Sequence, residues 1–194
     1  MYLTKIPLTL PIVREYKLRD AYSIHCLVYS SFSIRQDRRR LLYVEKQNAK
    51  DAHVLLLSDE IPNFPPHIEA STLEISESFF ANANYRFEII INPVRTDSKT
   101  KKREPILGQL PLLNWFIDHS VRWGFEVSQD TLEVKVMPSL SFQKGSRVYR
   151  FHKVCFKGIL RVTDIGLFKK SFEAGLGHAK AFGFGLLQLQ PINQ

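Results

Sequence analysis

The chain has 194 residues, of which 44% are hydrophobic and 24% charged. That balance excludes disordered and collagen-like chains and gives two halves of about 85–110 residues a modest core each. The longest uncharged runs are 14 residues, such as Ala21 to Ile34, against the about 20 apolar residues a membrane-spanning helix needs. Lys5, Arg14, Glu15 and Lys17 interrupt the N-terminus before a secretory core could form, and Cys26 and Cys155 lie far apart without a CxxC spacing. A soluble protein of the reducing cytoplasm is therefore expected, without disulfides or a cysteine-built zinc site. The net charge of +8 is unevenly spread: residues 1–83 carry ten basic and ten acidic residues, whereas 84–194 carry 17 and nine. Between Glu133 and Asp164 no acid offsets Lys135, Lys144, Arg147, Arg150, Lys153, Lys157 and Arg161. Such a stretch draws polyanions, with nucleic acid, an acidic protein surface and anionic lipid as the candidates, or else it is a solvated lysine-rich face.

In chain order, Tyr2 to Leu10 alternates as a strand ending at Pro11. Ala21, Ile24, Val28 and Phe32 recur at helical spacing, with Asp20 placed as N-cap. Leu41 to Glu45 and His53 to Ser58 read as strands joined by the polar stretch Lys46 to Asp51. Ile61 to Ala70, with three prolines, reads as little more than a turn, and Thr72 to Glu77 reads as a fourth strand. A second series starts with the strand at Tyr85, stopped by Asn92-Pro93. Val94 to Glu104 reads as an exposed basic loop. A helix follows, with Pro111 in its first turn, core positions Leu113, Phe116, Ile117 and Val121, and Gly124 past its end. Phe125 to Val136 and Phe151 to Val162 read as strands. In the second of these, Lys153, Lys157 and Arg161 share the face opposite Val154, Phe156, Leu160 and Val162. Asp164 caps a helix with Ile165, Phe168 and Phe172 inward and Gly175 at its end, and Phe184 to Leu189 closes the series.

Each half thus reads strand–helix–strand–strand–(helix)–strand, the split βαβ arrangement of ferredoxin-like folds. The expected fold class is α+β, two tandem ferredoxin-like (RRM-like) βαββαβ domains over residues 1–83 and 84–194.

The segment Gly175-Leu-Gly177-His-Ala-Lys180-Ala-Phe-Gly183-Phe-Gly185-Leu-Leu187 concentrates glycines after a helix and before a strand. That order differs from a P-loop and from a dinucleotide fingerprint. It leaves two readings, a tight turn with packing glycines or a loop whose amides grip a phosphate. The loop resembles the C-terminal signature of the CRISPR-associated repeat-RNA endoribonucleases of the CasE type. Further similarity runs through Met1-Tyr-Leu-Thr-Lys5, Arg19-Asp-Ala-Tyr22-Ser-Ile-His25, Val44-Glu-Lys46, His53-Val-Leu-Leu56, Arg86-Phe87, Asn92-Pro93 and Val154-Cys-Phe-Lys-Gly158. The resemblance implies cleavage of precursor CRISPR RNA at the 3′ base of the repeat stem-loop, without metal or cofactor, leaving a 2′,3′-cyclic phosphate. It also implies partnership with the repeat RNA and the other subunits of the Cascade complex, for a chain expected to be monomeric when isolated. The catalytic residues it implies are His25 and Tyr22, and Lys180 matches its loop lysine, expected with Gly175 and Gly177 on the RNA. His178 stands where relatives often have Pro.

Tyr22 and His25, at i and i+3, leave one helix face, which Tyr29 extends. Attack on RNA by its own 2′-hydroxyl needs a base for that proton, a proton or cation for the leaving 5′-oxygen and positive charge at the phosphorane. Histidine suits the proton transfers because both of its forms are accessible near neutrality. The competing reading of His25 is an imidazole half-packed under the sheet, and of Tyr22 a core-edge aromatic. The cation at the phosphate is expected among Lys144, Arg147, Arg150 and Lys153, with Arg147 and Arg150 not distinguished. Lys157 and Arg161 are expected to extend the RNA-binding face. Tyr149 and Phe151 suit base stacking or sheet packing equally. No HxxxH or paired-carboxylate spacing is present. Against the nuclease stand a non-cutting RNA-binding subunit of a CRISPR ribonucleoprotein and a generic module for an acidic protein.

Overall fold

A computed structural model describes residues 1–32, 41–47, 51–144 and 146–192, the side chains of Lys144 and Arg147 excepted. The first half begins with strand β1 (Tyr2–Pro7). The alternation expected to continue to Leu10 stops there, because Pro11 starts a short helix, α1 (Leu10–Glu15), that buries Ile12. Proline's fixed φ suits the first turn of a helix, so it begins an element here and does not merely end one. Helix α2 (Ala21–Ser30) follows, and β2 (Leu42–Gln47), β3 (Ala52–Ser58) and β4 (Ser71–Glu74) complete a sheet ordered β2-β3-β1-β4. All its pairings are antiparallel. The proline-rich stretch Ile61 to Ala70 contains no helix.

In the second half, β5 (Asn84–Ile91) leads into a two-stranded ribbon, β6 (Val94–Thr96) with β7 (Arg103–Pro105), where a plain loop was expected. Helix α3 (Gln109–Ser120) buries Leu112, Phe116 and Ser120, a stripe at i, i+4 and i+8. Val121, expected in the core, passes into a 3-10 turn and is 64% exposed. The expected strand Phe125 to Val136 is broken into β8 (Phe125–Val127) and β9 (Glu133–Lys144) by a 3-10 turn at Gln129–Thr131. That turn sits over Gly158, where a Cβ would stand 2.7 Å from the Thr131 carbonyl oxygen. Strand β10 (Arg147–Val162) is longer than its apolar pattern predicts, helix α4 (Ile165–Ala174) is capped by Asp164, and β11 (Gln188–Pro191) ends the sheet. Ile165, expected inward, is 54% exposed, because the first turn of α4 lies past the end of β10 beside a groove lined by Ala83 and Thr163.

The second sheet runs β11-β5-β10-β8, with β9 also on β10. Taking β8 and β9 as one interrupted strand, both sheets have the same ferredoxin-like order. Ile24, Leu27 and Val28 of α2 pack on Ile6, Tyr43, Val54 and Leu56 across one face of the first sheet. Leu42, Val44 and Leu57 on its other face join the core of the second half. Phe80, which precedes the expected boundary at residue 83, also packs there, with ring centroids 5.4 Å from Phe172 and 6.4 Å from Phe168. Each such buried side chain contributes about 1.5–3 kcal/mol, so the first sheet is held firmly against the second half. Among the described residues no helix is long and apolar enough to cross a membrane.

Candidate active site and RNA-binding surface

Helix α2 owes its start to a capping box: the Asp20 carboxylate accepts the Ser23 backbone N–H at 2.9 Å, and the Ser23 hydroxyl oxygen accepts the Asp20 N–H at 3.0 Å. With the start fixed and Ile24, Leu27 and Val28 turned to the sheet, Tyr22, His25 and Tyr29 fall on the side facing the glycine-rich loop. His25 is half-buried there. Its Nδ1 lies 2.9 Å from the Ala181 carbonyl oxygen, which also accepts the Tyr43 hydroxyl at 2.9 Å. A carbonyl only accepts, so Nδ1 carries the proton in both charge states, and Nε2 is the nitrogen that changes protonation. Burial first, and then the neighbouring Tyr29, push the Tyr43 phenol far above its ordinary range, so it remains a donor.

Aromatic rings fix the imidazole plane. Tyr29, Phe182 and Tyr22 lie with centroids 4.2, 5.7 and 5.9 Å from it. A stacked ladder continues from Tyr22 to Phe142 at 6.3 Å and from Phe142 to Tyr149 at 5.3 Å, reaching along the β9–β10 arm. Phe151 stacks on Phe182 at 5.6 Å, so it packs against the loop.

Of the two cations expected near the phosphate whose side chains are described, Arg150 and Lys153, the fold brings Lys153 to α2. It lines a small pocket with Ala21, Ile24, Tyr43, Glu45, Leu140, Phe182, Gly183 and Phe184. A register shift in the β9–β10 ladder between Phe151 and Lys153 marks the place where the strand departs from regular pairing. Arg150 is exposed on the arm. Lys144 and Arg147 belong to the same arm, and their side chains lie outside the described residues. Lys157 and Arg161, expected to extend the RNA-binding face, each have an acid at hand: Lys157 pairs with Glu88 at 3.0 Å, and Arg161 pairs with Glu126. Glu88 also takes Lys46 of β2, which ties the two sheets together. Burial opposes ionisation of Glu88, but hydrogen bonds and charge from Lys46 and Lys157 outweigh it and hold the carboxyl below its usual range.

The loop glycines have packing reasons. Gly175 and Gly177 take φ of 70° and 75°, and a Cβ at Gly175 would stand 2.5 Å from the Leu42 side chain. At Gly177 it would stand 3.2 Å from Ile91. Lys180 donates to the Ala174 carbonyl at 2.7 Å, binding the loop to the end of α4. Sequence reasoning missed Tyr43 and the Ala181 carbonyl. Tyr43 is 1% exposed and reads as one more core residue of β2, and a backbone carbonyl leaves no trace in side-chain identity.

Residues 1–191 match the sequence model of a family described as CRISPR associated protein. The chain is 27% identical over 207 residues to the CRISPR system Cascade subunit CasE of Escherichia coli K12, covering 99% of this chain and all of that one. Its fold is similar to Thermus thermophilus Cse3 bound to an RNA representing a pre-cleavage complex (TM-score 0.81, 21% identity, 98% of each chain). It is also similar to the CRISPR-associated protein Cas6e of E. coli K-12 (TM-score 0.74, 22% identity, 99% of this chain and 100% of that one). A family match spanning nearly every residue, over the same pair of ferredoxin-like sheets, assigns this chain to the CRISPR-associated protein family.

Proposed function

We propose that this chain is a metal-independent endoribonuclease that cuts precursor CRISPR RNA at the 3′ base of the repeat stem-loop. The observation that carries the reading is the imidazole of His25, anchored through Nδ1 to Ala181 and turned to the side of the fold that holds Lys153 and the β9–β10 arm. Neutral His25 takes the 2′-hydroxyl proton on Nε2 while water protonates the leaving 5′-oxygen, or protonated His25 supplies the proton to the 5′-oxygen while water takes the one from the 2′-hydroxyl. The 2′-oxygen bonds to phosphorus as the P–O5′ bond breaks, leaving a 2′,3′-cyclic phosphate and a 5′-hydroxyl. Proton transfer of this kind contributes about 10²–10⁴-fold, and Lys153 offsets the negative charge that gathers on the phosphorane. Tyr22 bounds the substrate on the same helix face. Residues 1–83 supply the catalytic helix, while 84–194 supply the arm cations Lys144, Arg147, Arg150 and Lys153 and the loop of Gly175, Gly177 and Lys180 for RNA. Lys157 and Arg161 act in this reading mainly through their acidic partners. The names of the relatives support it: CasE is a Cascade subunit, and Cse3 is a CRISPR endoribonuclease bound to RNA. A chain with this task works in the cytoplasm, monomeric until it joins the other Cascade subunits.

Purified protein incubated with end-labelled repeat hairpin in excess EDTA should cut at the 3′ base of the stem and leave a cyclic phosphate. His25→Ala should bind the hairpin as wild type does and cut at least about 100-fold more slowly. Abolition by chelator, or an unimpaired His25→Ala variant, overturns the mechanism. Wild-type binding without any cutting would leave only a passive RNA-binding subunit.

A further inference from the structure

The β6–β7 ribbon carries charge that the His25 site does not use. Between Pro93 and Ile106 the chain holds Arg95, Lys99, Lys101, Lys102 and Arg103 against Asp97 and Glu104. The base is closed by the Ile106 N–H donating to the Pro93 carbonyl at 3.1 Å. At the tip, one Asp97 carboxylate oxygen accepts the Lys99 and Thr100 backbone N–H groups at 3.0 and 2.6 Å and the Thr100 hydroxyl at 2.8 Å. Lys101 takes a left-handed φ of 57° there. The lysines therefore fan out from a tied turn. Asp97 is committed to the turn and Glu104 to Arg95, at 3.5 Å. Lys99, Lys101, Lys102 and Arg103 have no carboxylate partner among the described residues.

The ribbon is rooted beside the active site. It leaves the sheet where β5 ends, and there the Asn92 side-chain oxygen accepts the His152 N–H of β10 at 3.0 Å. Ile91, the last residue of β5, packs on Gly177. Burial, then the charges of Arg103 and Lys180, hold the next loop residue, His178, below its usual pKa. Three residues after His178 comes Ala181, whose carbonyl positions His25.

We propose that the β6–β7 ribbon is a second RNA-binding element, on which Lys99, Lys101, Lys102 and Arg103 grip backbone phosphates of the same transcript outside the cleavage site. The proposal rests on the RNA-processing reading above. These uncompensated cations are complementary to a polyanion, and RNA is the polyanion that the proposed function brings to this chain, which favours RNA over an acidic protein as the occupant. Contacts of lysines and an arginine to phosphates position an RNA without reading its sequence. They release counterions, at about 0.7–0.9 in the salt slope for each phosphate neutralised.

The test compares wild type with K99Q/K101Q/K102Q/R103Q by titrating a labelled repeat hairpin across 50–200 mM salt. The slope of log Kd against log salt should become shallower by about 3. At 50 mM salt, binding should weaken at least about tenfold. A second hairpin of equal length and different sequence should lose as much. Amine-reactive footprinting of wild type keeps the test decisive if the variant misfolds: Lys99, Lys101 and Lys102 should be protected by the hairpin. A wild type that binds and cuts, with an unchanged slope in the variant and unprotected lysines, overturns this proposal alone. A wild type that neither binds nor cuts overturns the function itself. An unchanged RNA slope together with lost retention on immobilised polyglutamate assigns the ribbon to an acidic protein and also overturns the proposal.

Discussion

Lys153 and Lys157 stand four residues apart on one strand, on the same side of it, yet they occupy different electrostatic environments. Lys157 lies inside the sheet, opposite Glu88 of β5 and Glu133 of β9, and is bonded to the first of these. Its ammonium is stabilised by that hydrogen bond against the cost of burial, which raises its pKa. Lys153 passes the end of β5, whose last partner on β10 is Val154, and meets α2 and the loop. At the inner end of β10, positive charge joins strands and sheets. At the outer end, in the proposed reading, it meets the RNA, together with the ribbon and the arm.

The largest effect that sharpens this contrast belongs to Lys153. Lys153→Ala should slow cleavage under saturating protein by about 100-fold, the order of loss when one preorganised charge-stabilising group is removed. Hairpin affinity should fall far less, because many other cations remain. Single-turnover kinetics beside a binding titration separates the two. A variant that loses affinity while cutting at the wild-type rate would make Lys153 an ordinary backbone contact and erase the distinction from the arm.

This contrast also marks how far the sequence could be read. The ferredoxin-like layout of the two halves, short of a second helix between β3 and β4 in the first, followed from periodicity, because Ile24, Val28, Phe156 and Leu160 repeat as the sheet and helix faces demand. Asp20, Asp164 and Gly124 bounded their helices as expected, each acting within a few residues of itself. That Tyr22 and His25 leave one face of α2 was legible in helical spacing, and the roles proposed for them come from the family resemblance. The acid-free run between Glu133 and Asp164, in contrast, is a statement about chain order. Antiparallel pairing sets Glu88 beside Lys157 and Glu126 beside Arg161, from 69 and 35 residues away. The ribbon was hidden for a similar reason: its strands are three residues each, too short for an alternation to register.

Glu88 gives the middle-sized effect. Its folded pKa lies below its unfolded value, so its stabilising contribution is complete above the ordinary glutamate pKa of about 4.3. That contribution is lost as pH falls through the depressed folded value. Glu88→Gln should destabilise the protein at pH 7 by about 1–2 kcal/mol, since Lys46 and Lys157 lose a charged hydrogen-bond partner and are then partly satisfied by water. The difference from wild type should shrink toward zero as denaturant melts are carried to pH 3 and below. A difference that holds constant across that range would mean that the carboxylate's charge contributes nothing to joining the sheets.

The smallest effect is expected at the inner end itself. In a K157Q/R161Q double variant, RNA affinity should change by about twofold or less, and the salt slope by well under one unit, because each cation already has a carboxylate at hand. A ligand phosphate would have to displace Glu88 or Glu126, giving up one charge-assisted hydrogen bond for another and leaving a carboxylate beside the RNA. Exchange of that kind yields little net free energy. The sensitive measurement is the same salt titration applied to the ribbon variant. A slope that falls by a full unit or more in K157Q/R161Q would mean that these cations leave their acids for phosphate. The two ends of β10 would then form one continuous RNA-binding face.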